Sequence, residues 1–172
     1  MKNLTILIIA IVGISFWSCQ TDTASNNPDL FPGGKVVYFS DCKDWETNEI
    51  AKEIDDSHAA IQYHYIAEEN KMEIRHINAG FNCCPDKITA DISIEDGIIL
   101  ISEKEAVAGC HCNCLFDIDI DLTDIENGKY TVKIFEPYLN DVDLPFNFEI
   151  DLNKNPDGEV VLARSSYPWA VK

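Results

Sequence analysis

The densest chemistry in this 172-residue chain lies in its cysteines and a few interleaved polar residues. Cys110-His111-Cys112-Asn113-Cys114 places three thiols and an imidazole within five residues. Cys83-Cys84 adds a vicinal pair, and Cys42 stands apart. Thiolates and imidazole are soft ligands suited to Zn²⁺ or Cu(I). The same six cysteines would instead form disulfides in an oxidising compartment, with 15 possible pairings. A second group is acidic: Asp117, Asp119 and Asp121 alternate along one stretch, Asp124 and Glu126 follow, and Asp141, Asp143, Glu149 and Asp151 lie beyond. Calcium takes such oxygens, but alternate residues on a strand splay along a surface, so a solvated face that discourages edge pairing is the expectation. The other histidines are His58, His64 and His76.

Positioning these groups falls to strands, because a period of two runs through the chain from about residue 59. Ile61, Tyr63 and Tyr65 alternate with polar neighbours, Glu68 to Lys71 make a turn, and Met72, Ile74 and His76 return. A two-residue loop at Glu69-Asn70 predicts pairing of Tyr63 with His76, Tyr65 with Ile74 and Ala67 with Met72. His64 then faces away from His76, which is read as a hydrogen-bonded core residue. Ile88 to Ile94 and Ile98 to Ser102 flank Asp96-Gly97, the pair favoured in type I′ turns. Phe116, Ile118, Ile120 and Leu122 form an apolar face opposite the aspartates. Tyr130, Val132 and Ile134 follow Asn127-Gly128 and close at Glu136-Pro137. Leu144 to Leu152 gives another strand, and the last lies near Glu159 to Arg164. Only Asp44 to Asp55 has helical spacing, through Trp45, Ile50 and Ile54. Short strands with one apolar face each predict an all-β, antiparallel, immunoglobulin-like β-sandwich.

Strand parity bears on the cysteines. If the strand of Phe116 begins at Cys110, then Cys110, Cys112 and Cys114 share its inward parity while His111 and Asn113 point outward. Inward cysteines at a strand end are placed to cross-link to a loop, and Cys83-Cys84 lies in one. Disulfides among Cys42, Cys83, Cys84, Cys110, Cys112 and Cys114 are therefore expected, with no metal or cofactor. A zinc or copper site using Cys83, Cys84, Cys110, Cys112, Cys114 and His111 is the alternative.

The N-terminus supplies the compartment. Residues 1–18 carry Lys2, an apolar run from Leu4 to Trp17 interrupted by Thr5, Gly13 and Ser15, and then Ser18. The run is short of the ~20 residues of a spanning helix and has the form of an export signal. Phe16-Trp17-Ser18-Cys19 resembles the lipobox of bacterial lipoproteins, with Phe16 in place of the usual Leu and Trp17 bulkier than usual, as in lipoproteins of Bacteroidota. The resemblance implies cleavage before Cys19, lipid on its thiol and, because residue 20 is Gln rather than Asp, the outer membrane of a Gram-negative cell. Residues 19–33 would be lipidated cysteine and tether, polar from Gln20 to Pro28, and residues 34–172 the sandwich domain.

Removing the signal leaves 154 of 172 residues, the size of one domain. The chain has 13 basic and 30 acidic residues, a formal charge of −17, and loses only Lys2 with the signal. That acidity argues against nucleic acid as a partner; the expected partner is a membrane, reached through lipid, and a protein or glycan ligand stays unidentified. No Gly-x-Ser-x-Gly, His-Glu-x-x-His or Gly-x-x-x-x-Gly-Lys motif occurs. A Cys42 or Cys112 nucleophile, or a carboxylate pair, is the fainter enzymatic reading.

The segments His76 to Pro85, Cys110 to Asp117, Phe135 to Tyr138 and Tyr167-Pro168-Trp169 together resemble an uncharacterised lipoprotein family of Bacteroidota with CC and CxCxC cysteine motifs. The resemblance covers about the last 130 residues and implies no activity. The expectation is a non-enzymatic, extracytoplasmic, lipid-anchored binding or envelope-structural module.

Overall fold

The computed structural model describes residues 33–43, 54–107 and 109–169. The expected signal, Cys19, nearly all of the tether and most of the helical stretch at Asp44 to Asp55 lie outside the described residues. The described residues form nine strands: β1 Gly34–Phe39, β2 His58–Ile66, β3 Lys71–Asn82, β4 Pro85–Glu95, β5 Ile98–Val107, β6 Asn113–Leu122, β7 Lys129–Phe135, β8 Phe146–Asp151 and β9 Asp157–Ala163. They make a five-stranded sheet ordered β1-β6-β3-β2-β9 and a four-stranded sheet ordered β4-β5-β7-β8. The two pack into the β-sandwich that the alternation predicts. All pairings are antiparallel except β5 with β7, which run parallel because the chain crosses to the other sheet as β6 between them.

The two predicted hairpins are present. Asp96 and Gly97 both have positive φ, 50° and 75°, the requirement of a type I′ turn, and Glu95 pairs with Ile98. The β2–β3 register differs by two residues from expectation: Tyr63 pairs with Ile74, Ile61 with His76 and Tyr65 with Met72. The cause is the turn, a 3₁₀ segment Ala67–Glu69 closed by Asn70 in the left-handed region, which adds residues between the strands. Strand β1 has no counterpart in the sequence reading. Its run Lys35-Val36-Val37-Tyr38-Phe39 does not alternate, and an irregularity between Val36 and Tyr38 breaks its ladder with β6.

That placement overturns the edge reading of the acidic stretch. With β1 on one side and β3 on the other, β6 is an interior strand. Its aspartates are matched by cations: Asp117 by Lys43 at 2.5 Å and Arg75 at 3.6 Å, Asp119 by Arg75 at 3.7 Å, and Asp121 by Lys71 at 2.9 Å. Interior like charges need such partners, whereas edge charges do not.

The core runs between the sheets from Met72, Ile74, Ile118 and Ile120 to Ile99, Ile101, Val132, Ile134 and Phe146, all almost fully buried. An irregularity between His76 and Ala79 keeps it continuous. Three steps along β3 match two along β6, from Ile118 to Phe116, so one extra residue is accommodated and both His76 and Ala79 oppose core-facing residues. Asn78 takes a φ of 61° there. Its side-chain Nδ2 donates to the His58 carbonyl at 2.8 Å and the Asp55 carbonyl at 3.2 Å, and its side-chain oxygen accepts from Lys43 Nζ at 2.7 Å.

Candidate functional site: a sealed charge cluster and a cystine-bound end

Two constellations stand out, and the sequence reading singled out only one. Cys83 and Cys84 lie between β3 and β4; Cys110 and Cys112 lie in the segment approaching β6; Cys114 is its second residue. Three disulfide-bonded pairs result: Cys42–Cys114, Cys83–Cys112 and Cys84–Cys110, with Cα separations of 5.9, 5.5 and 5.8 Å. The parity argument holds only for Cys114. The strand begins at Asn113 and not at Cys110, so alternation does not govern the two earlier cysteines, and Cys112 and His111 are both exposed. The link from this stretch to the Cys83-Cys84 loop is nevertheless made, twice.

The other constellation is buried at the same end of the core. Three apolar stripes, Met72-Ile74, Ile99-Ile101 and Val132-Ile134, are each continued at the same parity by an ionisable residue: His76, Glu103 and Glu136. Val160 and Leu162 are continued likewise by Arg164. The four side chains are essentially inaccessible to water. They form a chain of alternating sign. Glu103 Oε1 lies 2.8 Å from His76 Nδ1, His76 Nε2 lies 3.4 Å from Glu136 Oε1, and Glu136 Oε2 accepts from the Arg164 guanidinium. Arg164 also donates to the Leu144 carbonyl at 2.5 Å. Its guanidinium stacks over Phe146 and Trp169, 5.0 and 5.4 Å from the ring centroids, while His76 meets Phe146 edge-on.

Burial alone would drive the imidazole neutral, but Coulomb attraction and hydrogen bonding from Glu103 and Glu136 outweigh it, and His76 is pushed up to about 10. Burial also raises Glu103, against the opposing pull of His76. With imidazolium, guanidinium and two carboxylates the cluster is neutral as a whole, which is what a dry core tolerates. Ligand atoms of His76, Glu103 and Glu136 lie within 4.8 Å of one another. However, the carboxylates flank opposite ring nitrogens, and a divalent ion would sit beside Arg164. A proton suits this geometry better than a metal.

The sign of the pH dependence follows. A histidine raised in the folded state contributes stability that is complete below the free imidazole value of 6.5 and is lost as pH climbs through about 10. Glu103, also raised, acts in the same direction. Thermal melts from pH 6 to pH 10 should therefore show a progressive fall in Tm. His76→Gln should lower Tm at pH 6 and flatten that slope; an unchanged slope would remove His76 as its source.

The C-terminal segment closes over this end. Burial opposes ionisation of Asp143, but hydrogen bonds from the hydroxyls and amides of Ser166 and Ser165 prevail and hold it below its ordinary value. Trp169 Nε1 donates to the Asn78 carbonyl at 2.6 Å, and its ring lies against Gly80, where a Cβ would come within 2.7 Å of it.

The remaining histidines are peripheral: His64 pairs with Asp157 at the surface, on the opposite face from the buried His76 as the alternation predicts, and His58 lies near Asp55. On the five-stranded sheet a shallow groove of about 570 Å³ is lined by Lys71, Glu73, Arg75, Asp119 and Asp121 with Tyr63 and His64. No family profile matches the chain, and neither a curated protein nor a solved structure does.

Proposed function

We propose that the chain is an exported, lipid-anchored β-sandwich of the bacterial envelope, acting as a non-enzymatic binding or structural module. The observation that carries this reading is the pairing of all six cysteines of the domain into three disulfides, which belongs to an oxidising compartment and agrees with the signal-like residues 1–18 and the lipobox-like Cys19. The burial of the His76 cluster supports the non-enzymatic part: all four side chains are closed off from solvent, so substrate has no path to them as the domain stands. The charged groove on the five-stranded sheet is the surface such a module would present. Its outer-membrane address rests on Gln20.

Intact mass of the membrane-extracted protein should show loss of residues 1–18 and diacylglyceryl and acyl groups on Cys19. Cys19→Ala should keep the precursor unlipidated and move the protein out of the outer-membrane fraction. Unmodified Cys19 in a protein that still fractionates with that membrane would sink the anchor. A second reading, extracytoplasmic zinc or copper binding, is favoured by one distance: the sulfurs of Cys83, Cys84 and Cys110 lie within 4.8 Å of each other. Alkylation of six thiols together with stoichiometric metal would establish it, whereas no alkylation and no metal would dismiss it.

A further inference from the structure

The C-terminal segment from Arg164 to Trp169 is held at two ends by unlike devices. At its start, the Arg164 side chain enters the buried cluster, its amide donates to the Ser57 carbonyl at 2.8 Å, and Asp143 grips Ser165 and Ser166. At its finish, Tyr167 Oη accepts from the Asn113 amide at 2.8 Å and donates to the Asn113 carbonyl at 2.5 Å, and Trp169 lies on Gly80 with its Nε1 donating to the Asn78 carbonyl and its ring under the Arg164 guanidinium. Asn113 sits between two disulfide-bonded cysteines and pairs with Asn82 at the last rung of the β3–β6 ladder.

Among the described residues, the segment leading into that rung makes few other backbone contacts. Residues 109–112 belong to no strand; the Cys83 amide donates to the Cys112 carbonyl at 3.0 Å and Asn82 Nδ2 to the Cys110 carbonyl at 2.9 Å. The bridges Cys83–Cys112 and Cys84–Cys110 therefore constrain Asn113 from the N-terminal side, while on its other side Cys114 is paired with Phe81 and bridged to Cys42. Cys112 is exposed and Cys83, Cys84 and Cys110 are partly so, within reach of a reductant.

The geometry points to a redox-released strap: reduction of Cys83–Cys112 and Cys84–Cys110 frays the Asn113 rung and frees Tyr167 and Trp169, while Arg164 stays anchored in the core. Each reduction is thiol–disulfide exchange with a dithiol, which is itself oxidised to a disulfide as two electrons and two protons pass to the protein's cystine. Release uncovers Asn78 to Gly80 and leaves a flexible aromatic tail. This device does not depend on the lipid anchor or on any ligand proposed above.

Two amides report separately. The Trp169 amide donates to the Ser166 carbonyl within the strap, and the Arg164 amide donates to Ser57 outside it. Hydrogen exchange on the full mature protein should show at least tenfold faster exchange at Trp169 in Cys83→Ser/Cys84→Ser/Cys110→Ser/Cys112→Ser, which keeps Cys42–Cys114, with Arg164 and β2 unchanged. Tyr167→Phe, with every bridge intact, should loosen Trp169 alone. A Trp169 amide that stays protected without the two bridges overturns the proposal, and so does joint loss of protection at Trp169, Arg164 and β2, because the strap would then have no independent motion.

Discussion

Replacing Arg164 with methionine is expected to lower the unfolding free energy by about 3–5 kcal/mol, the usual cost of stripping one partner from a buried ion pair. The substitution keeps the unbranched aliphatic part of the side chain but removes the guanidinium, and with it the charge that Glu136 faces and the stacking on Phe146 and Trp169. Glu136 would then hold a carboxylate in the core with only His76 beside it, at 3.4 Å, and the Leu144 carbonyl would lose its donor. The comparison that isolates the ion pair is a cycle with Glu136→Gln. If the loss comes from an orphaned charge, Arg164→Met/Glu136→Gln should be markedly more stable than the sum of the two single changes predicts. Denaturant titration at pH 7 measures all four forms. Strict additivity would show instead that Arg164 acts through its stacking on the two rings.

The same cluster shows where sequence reasoning stops. Alternation found the sandwich because a strand with one buried face must write its burial at every second residue, and Ile61, Met72, Ile118 and Ile134 do so. It does not reveal β1, whose ladder is interrupted, and a two-residue loop misplaces the β2–β3 register because the chain turns there through a 3₁₀ segment. His76 was readable as a core residue from its parity with Met72 and Ile74. Glu103, Glu136 and Arg164 carried the same signal, each extending an apolar stripe by one inward position. Taken singly, a charged residue at the end of a stripe reads as the place where a strand leaves the core. Only when four stripes end in ionisable groups of balanced sign does the burial of all four become the simpler account, and that juxtaposition depends on sheet order, which local sequence does not specify. The cysteines behaved similarly: their chemistry was legible, but their pairing depended on Asn113, not Cys110, opening β6.

Loop length also ranks the three bridges. Cys42–Cys114 spans 72 residues, whereas Cys83–Cys112 and Cys84–Cys110 span 29 and 26 and close almost the same loop. In the chain-entropy account the first contributes about 4 kcal/mol, the other two together only slightly more than one such bridge, about 3.5 kcal/mol. The long bridge also clamps an edge. The backbone beyond β1 donates from Ser40 to Asp117 and from Lys43 to Leu115, both at 2.9 Å, and without the bridge β1 is free to peel from β6. Cys42→Ser/Cys114→Ser is thus expected to lose about 4 kcal/mol in denaturant titration, with exchange accelerating first in β1. Cys84→Ser/Cys110→Ser, which leaves Cys83–Cys112 closing nearly the same loop, should lose well under half as much. Equal losses from the two pairs would mean that native contacts at the bridges, and not the entropy of the unfolded chain, set their value.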